Sequence, residues 1–258
     1  MIVATKSLPW RSALVTGASS GIGAALARRL VADGVTTIGL ARGEPALAKL
    51  ATELGPRFVP CAQSVDDTDV LVATLRRLDE EHRGIDLVIA NAGVGATPAH
   101  PAYSYEATRA ALHTNFCGAA ATLTALTDRM VARRAGHLVS ISSLSSFGAL
   151  PAALAYASPK AGLNMVCDSL RLDLGSRGVA VTSVYLGFVA TEMVARSTHP
   201  LPQLLSVDEA ADGVLAALPH RPSHVTLPRL LGFGARLLAA LPEPLRAALF
   251  SRQSWSQP

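Results

Sequence analysis

Tyr156 and Lys160 stand four residues apart in Leu154-Ala155-Tyr156-Ala157-Ser158-Pro159-Lys160, so on a helix they share a face. Such a pair can move protons. A tyrosine hydroxyl titrates near pH ~10, and only roughly one in a thousand is ionised at neutrality. One positive charge about 5 Å away, at an effective dielectric of ~20, favours phenolate by about 3 kcal/mol, or roughly two pKa units. The expectation is a phenol drawn toward neutrality by its ammonium neighbour. Only three lysines, Lys6, Lys49 and Lys160, occur among the 23 basic residues, so a lysine at this spacing is not a product of lysine abundance. A bare Y-x-x-x-K also fits an ordinary helix turn with a half-buried tyrosine and a snorkelling lysine, and the surrounding elements must separate the two.

Those elements begin with Ser12-Ala13-Leu14-Val15-Thr16, an apolar run that ends in Gly17-Ala18-Ser19-Ser20-Gly21-Ile22-Gly23 and passes into a helical pattern from Ala24 to Ala32. Gly17, Gly21 and Gly23 let the backbone turn tightly and approach a diphosphate, whose charge the helix N-terminus would meet, with Ser19, Ser20 and Ile22 beside it. A second strand, Val35 to Ala41, is followed by Arg42 and a helix from about Pro45 to Leu54, completing a βαβ unit. The residue ending that second strand faces the adenosine ribose. Ala41 offers no carboxylate to a free 2′-hydroxyl, and Arg42 offers a cation to a 2′-phosphate, which points to NADP(H) rather than NAD(H).

Further along, Arg57 to Cys61 reads as a third strand, Asp66-Asp67-Thr68 opens a helix to about His82, and Ile85 to Ala90 is a fourth, apolar strand closed by Asn91-Ala92-Gly93. One long helical pattern spans Ser104 to Arg134 and holds Asn115 among apolar residues, where a buried amide needs partners. His137 to Ile141 is a fifth strand running into Ser142-Ser143, and the helix of Tyr156 and Lys160 continues to about Ser176. Pro159 is acceptable there only in the first turn. Val179 to Tyr185 is a sixth strand, followed by Leu186-Gly187 and Val189-Ala190-Thr191. The segment on to Leu205 has the length of a substrate-covering loop, before a helix from Val207 to Leu218 and a last strand at Ser223 to Leu227.

Unbroken apolar strands alternating with helices predict an α/β fold: a Rossmann-type doubly wound parallel sheet of about seven strands with helices on both faces, in a single domain. Residues 1–228 would form the catalytic domain and 229–258 an apolar C-terminal extension packed on the domain, on a partner subunit or on a membrane surface. The 258 residues are 50% hydrophobic and only 16% charged, against about 25% charged in typical soluble domains, so a partner, ligand or membrane is expected to cover apolar surface. A homodimer or homotetramer is the expected assembly. The net charge of +4 is scattered, without basic blocks or interleaved aromatics, which argues against nucleic acid. Cys61, Cys117 and Cys167 are odd in number and lack metal-ligand spacing, so neither a disulfide framework nor a metal site is expected. With no signal-peptide core in Met1 to Trp10 and no stretch of ~18 apolar residues, a cytoplasmic protein is expected, with membrane association through the C-terminal segment as the variation.

Taken together, Thr16-Gly17-Ala18-Ser19-Ser20-Gly21-Ile22-Gly23, Asn91-Ala92-Gly93, Asn115, Ser143, Tyr156 and Lys160, in that order, resemble the short-chain dehydrogenase/reductase family over nearly the whole chain to about residue 227. The resemblance implies that Ser143 hydrogen-bonds the substrate oxygen and Tyr156 passes a proton to or from it. Lys160 would hold the nicotinamide ribose and lower the tyrosine pKa, while Asn115 keeps a water linking Lys160 to solvent. Asn91, Ala92, Gly93, Gly187, Val189 and Thr191 would complete the cofactor site. The implied reaction is hydride transfer between NADP(H) and a carbonyl or alcohol on an apolar or medium-sized substrate. Three departures stand out. Alignment on Asp66 and Val70 puts Gln63 where the family usually has an adenine-contacting aspartate, Leu186 precedes Gly187 where the family has proline, and Pro159 replaces the usual Ser or Thr before the lysine. An epimerase or dehydratase using the same tyrosine, or a nucleotide-sensing protein without turnover, are the alternatives.

Overall fold

Each apolar run between helical patterns becomes a strand of one sheet. The computed structural model describes residues 8–95, 104–151, 153–195 and 201–251. In chain order these are β1 (Ser12–Thr16), α1 (Gly21–Ala32), β2 (Thr36–Ala41), α2 (Glu44–Leu54), β3 (Phe58–Ala62), α3 (Thr68–Glu81) and β4 (Leu87–Ala90). After them come α4 (Tyr105–Leu112), α5 (Ala119–Thr124), α6 (Thr127–Ala132), β5 (Gly136–Ser143), α7 (Leu154–Leu174), β6 (Val179–Leu186), α8 (Val207–Ala217), β7 (His224–Leu227), α9 (Arg229–Ala240) and α10 (Glu243–Ser251). The strand order is β3-β2-β1-β4-β5-β6-β7, and every neighbouring pair is parallel. This is the doubly wound sheet expected from the sequence. The chain leaves β1 toward one edge and β4 toward the other, so loops part at the C-terminal ends of these two strands and open a crevice there.

Both faces of the sheet are covered, which is why its strands read as continuous apolar runs. Ala13 and Val15 of β1 belong to a core shared with Leu26 and Leu30 of α1, Leu47 of α2 and Val214 of α8. Leu14, between them, belongs to the opposite core with Leu71 and Leu75 of α3, Leu123 of α5 and Leu163 of α7. At about 1.5–3 kcal/mol for each large aliphatic side chain withdrawn from water, these two layers are the main force holding the loops in place.

Three expectations fail locally. The single helix predicted from Ser104 to Arg134 is divided: α4 widens into a π turn at His113–Gly118, α5 follows, and the chain breaks again before α6. Apolar periodicity misses this because a π turn shifts the helix face by only one residue. Gly118, at its end, lets the turn pack close to the chain before α3, for a Cβ there would stand 2.7 Å from the Val65 carbonyl oxygen. Pro159, expected in a first turn, lies in the second turn of α7, inside the helix. It leaves the carbonyl of Ala155 without its usual i+4 amide partner. β5 is also longer than predicted, carrying Ser142 and Ser143 into the sheet with Ser143 opposite Leu186.

The C-terminal extension forms two helices. Gly232 of α9 is buried so tightly that a Cβ would meet Thr226 Cγ2 at 2.0 Å, and Leu231 reaches over Gly187. The Arg236 guanidinium lies 4.6 Å from the centre of the Phe147 ring and 5.7 Å from that of Tyr185, and Ala239 abuts Gly148. The inner face of α9 thus rests on β7 and on the turn that follows Ser143, while Leu230, Phe233 and Leu237 on its outer face are exposed. Among the described residues no helix is long and apolar enough to cross a membrane.

Candidate active site

A cavity of about 680 Å³ opens at the crevice between β1 and β4. Its floor is the turn after β1. Gly17 and Gly21 both have left-handed backbone, with φ of +69° and +52°, which other residues adopt only under strain. Ser19, Ser20 and Ile22 line the cavity with them. Ser20 is the N-cap of α1 but makes no side-chain cap bond, and the first turn holds no acidic residue, so the leading amides of α1 are left for an anion. Gly23 plays a different part. A Cβ there would lie 2.2 Å from the Gly17 carbonyl oxygen and 2.6 Å from Asn91 Nδ2, so this glycine closes the turn from behind instead of lining the cavity.

Asn91 and Ala92 are fixed by Thr16. The Thr16 hydroxyl accepts from both of their amides, at 3.0 and 3.1 Å, and Asn91 Nδ2 donates to the Thr16 carbonyl at 2.9 Å. Gly93 comes next, and its missing side chain admits Asn115 Oδ1 and Lys160 Nζ, 3.1 and 3.7 Å from where a Cβ would stand. Asn115, fully buried in the π turn, has both ends of its amide occupied by one residue: Val94 N–H donates to Oδ1 at 2.7 Å, and Nδ2 donates to the Val94 carbonyl at 2.8 Å. That satisfies the partner requirement raised by the sequence, and a π turn beside a cavity is a familiar functional irregularity. Asn115 itself stands behind the cavity wall.

The remaining wall is built by β5 and α7. Lys160 is buried and donates to the Ile141 carbonyl at 2.7 Å; burial lowers its pKa from 10.5 to about 8. Tyr156 faces the same cavity. The expected fall in its pKa is not found: burial pushes the phenol up, and hydrogen bonding with the Ser143 hydroxyl only partly opposes this. A charge that is itself desolvated and turned to a carbonyl does not outweigh the loss of water around the phenol. Ser143, half-buried at the end of β5, accepts from the Ser145 amide at 3.2 Å and lies 3.0 Å from the Ser145 hydroxyl. It is positioned beside the cavity next to Ser142.

At the end of the cavity beside β2, Arg42 and Gln63 line it, and the Gln63 amide donates to Ser64 O at 3.0 Å. The Arg42 side chain is 69% exposed. Asp66, which the sequence suggested only as a helix opener, also lines this end, 3.9 Å from Arg42 Nη1 and accepting from the Thr114 hydroxyl at 2.6 Å. Nothing in the local pattern marks that pairing, because Asp66 and Thr114 are 48 residues apart. On the far side, Gly187, Val189 and Thr191 line the cavity with Met193. The segment expected to cover the substrate between Thr191 and Leu205 is described except at 196–200, and residues 96–103 also lie outside the described residues. Among the described residues no group of three or more His, Cys, Asp or Glu could hold a metal ion.

The sequence model of the short chain dehydrogenase family matches residues 11–201. An uncharacterized oxidoreductase of Myxococcus xanthus is 39% identical over 241 residues, covering 92% of this chain and 95% of its own. A short-chain dehydrogenase from Burkholderia cenocepacia, solved in complex with NADP, is 28% identical with a TM-score of 0.78, covering 95% of this chain and 98% of its own. One from Sphingobium yanoikuyae, solved with NADPH, is 26% identical with a TM-score of 0.78, covering 96% and 98%.

Proposed function

Because the chain belongs to the short-chain dehydrogenase/reductase family of oxidoreductases, we propose that it interconverts a carbonyl and an alcohol on an apolar or medium-sized substrate, using NADP(H). The single observation that carries this is the convergence of Ser143, Tyr156 and Lys160 beside one cavity whose other end is the uncapped N-terminus of α1. The residues suit a dinucleotide. The Gly17–Gly21 turn and the α1 amides would hold the diphosphate, Arg42 the 2′-phosphate, and Lys160 the nicotinamide ribose. Two related structures with NADP or NADPH support the choice of cofactor. The nicotinamide, when bound, supplies or takes the hydride.

The protein's own part is proton handling. In the direction of reduction, the Tyr156 hydroxyl gives its proton to the substrate oxygen, and the Ser143 hydroxyl donates a hydrogen bond to the same oxygen. Both contacts strengthen as negative charge develops there, so they favour the transition state over the ground state. Burial keeps the phenol protonated at neutral pH, which is the form that donates. Asn115, by binding Val94 at both ends, holds the strand-end loop against Lys160.

We further propose a homodimer or homotetramer in a cytoplasmic setting, supported by the exposed Met165 and Leu172 on α7. The outer apolar face of α9 would add peripheral membrane contact. The function is tested by following NADPH absorbance with the purified protein and a panel from butanal to decanal and from cyclohexanone to acetophenone. Turnover of at least one compound is expected. No net oxidation or reduction of the nicotinamide across the panel and the matching alcohols would overturn it and favour the epimerase, dehydratase or sensor alternatives.

A further inference from the structure

The end of β5 and the turn after it are held to α7 at two places, and only one of them involves a residue of the proposed machinery. Lys160 grips the Ile141 carbonyl. One helical turn further on, Asn164 reaches the residues on either side of Ser143. The Ser142 hydroxyl donates to Asn164 Oδ1 at 2.8 Å, Asn164 Nδ2 donates to Ser146 Oγ at 2.8 Å, and the Ser146 hydroxyl donates to the Ser143 carbonyl at 2.5 Å. The chain of bonds has a single consistent direction, because Ser146 must accept from the amide in order to give its own proton to Ser143. Ser142 and Ser146 are both buried; the amide is the nearer partner of Ser142, which also lies 3.4 Å from Ser146 Oγ, and it supplies the proton that Ser146 accepts while giving its own to Ser143.

We propose that Asn164 is a positioning residue that sets the distance between the Ser143 and Tyr156 hydroxyls. It rides on the same helix as Tyr156, two turns away, and brackets Ser143 from one residue before and three after. No other side chain on α7 forms hydrogen bonds to both flanks of Ser143 among the described residues. A helix–strand contact through apolar side chains alone would tolerate sliding; a directed amide bridge does not, since each bond fails when its donor or acceptor moves by about 1 Å. This role rests on the Ser143–Tyr156 pairing proposed above. Misplacing a reacting group by about 1 Å costs on the order of a hundredfold in rate.

The test uses Asn164→Leu in the full-length protein, with NADPH and whichever aldehyde or ketone of the panel the wild type reduces fastest. The expected result is a kcat reduced about ten- to a hundredfold, an NADPH Kd within about threefold of wild type, and non-additivity with Ser143→Ala. Specifically, the Ser143→Ala/Asn164→Leu double variant should be no slower than Ser143→Ala alone, because Asn164 acts through Ser143. If Asn164→Leu does not fold, Ser146→Ala, which removes only the turn-side link of the bridge, carries the same three expectations. An unchanged kcat, a loss of NADPH affinity parallel to the loss of rate, or additive losses in the double variant would overturn the positioning role. Failure of the underlying function looks different: full activity in Tyr156→Phe, or a wild type inert toward the whole panel.

Discussion

His137 should make this protein sensitive to mild acid. It begins β5 at the end of the sheet away from the cavity, has 0% exposure, and its Nε2 lies 2.8 Å from the Thr182 hydroxyl. That hydroxyl donates to the Pro222 carbonyl, so it accepts from the histidine and fixes the Nε2–H tautomer. Nδ1 has no partner among the described residues, and the Trp10 ring is 5.8 Å away. Burial holds the imidazole neutral, with a pKa lowered from 6.5 to about 3. The unfolded chain therefore takes up a proton that the folded chain refuses. Stability is fully present above pH ~6.5 and falls as the pH drops toward ~3, by roughly 5 kcal/mol in all, about 2 kcal/mol of it by pH 5. Denaturant unfolding at pH 7 and pH 5 should show this, with His137→Gln as the control that keeps a donor toward Thr182 but cannot titrate. The variant should start less stable at pH 7, and the gap should narrow by about 2 kcal/mol at pH 5. Parallel stability losses in the two proteins would refute the reasoning.

Three further outcomes test the candidate site and its surroundings. Tyr156→Phe should keep less than about a tenth of the wild-type rate in a step limited by chemistry, with NADPH affinity within a few-fold, whereas Lys160→Ala should damage both; rapid-kinetic and fluorescence titrations separate them. Arg42→Ala should weaken NADPH binding at least about tenfold, the loss of a charge-assisted contact of roughly 1.5–3 kcal/mol, and leave NADH binding unchanged. Equal losses for both cofactors would remove Arg42 from the 2′-phosphate. Truncation after Pro228 should uncover Leu144, Phe147 and Tyr185, producing a protein that aggregates or binds hydrophobic dye and loses activity on bulky substrates before it loses NADPH affinity. A monodisperse, fully active truncation would show the two last helices to be dispensable, and sedimentation of the intact chain with anionic vesicles tests the outer face of α9.

The strands were readable because a parallel sheet buried on both faces leaves an unmistakable apolar run, and the glycine turn because Gly17 and Gly21 do need left-handed backbone. Less visible were features made by distant residues. The π turn at Asn115 packs through Gly118 against Val65, and Asp66, in the cavity wall, bonds to Thr114. Neither has a local signature. The phenol of Tyr156 illustrates a different gap: the pairing with Lys160 is a sequence pattern, but the opposing effect of burial is a property of the assembled site. In α9 the four leucines lie within one arc of about 120°, yet Leu230 and Leu237 are exposed; the packed face is marked instead by buried Gly232, with Thr226 almost touching it.

The position of α9 also bears on how the protein is made. Ala239 and Arg246 approach Gly148 in the turn that carries Phe147, and Leu231, together with Pro228 and Leu144, closes over Gly187 just past β6. A chain growing on the ribosome has already exposed the whole sheet, Ser143, Tyr156 and Lys160 before Leu231, Arg236 and Ala239 emerge. Until then the turn beside Ser143 has one flank bare. This flank of the crevice is therefore completed by a segment synthesised after it, and a nascent chain stalled near residue 228 carries every residue of the proposed chemistry while lacking the support for the turn beside it.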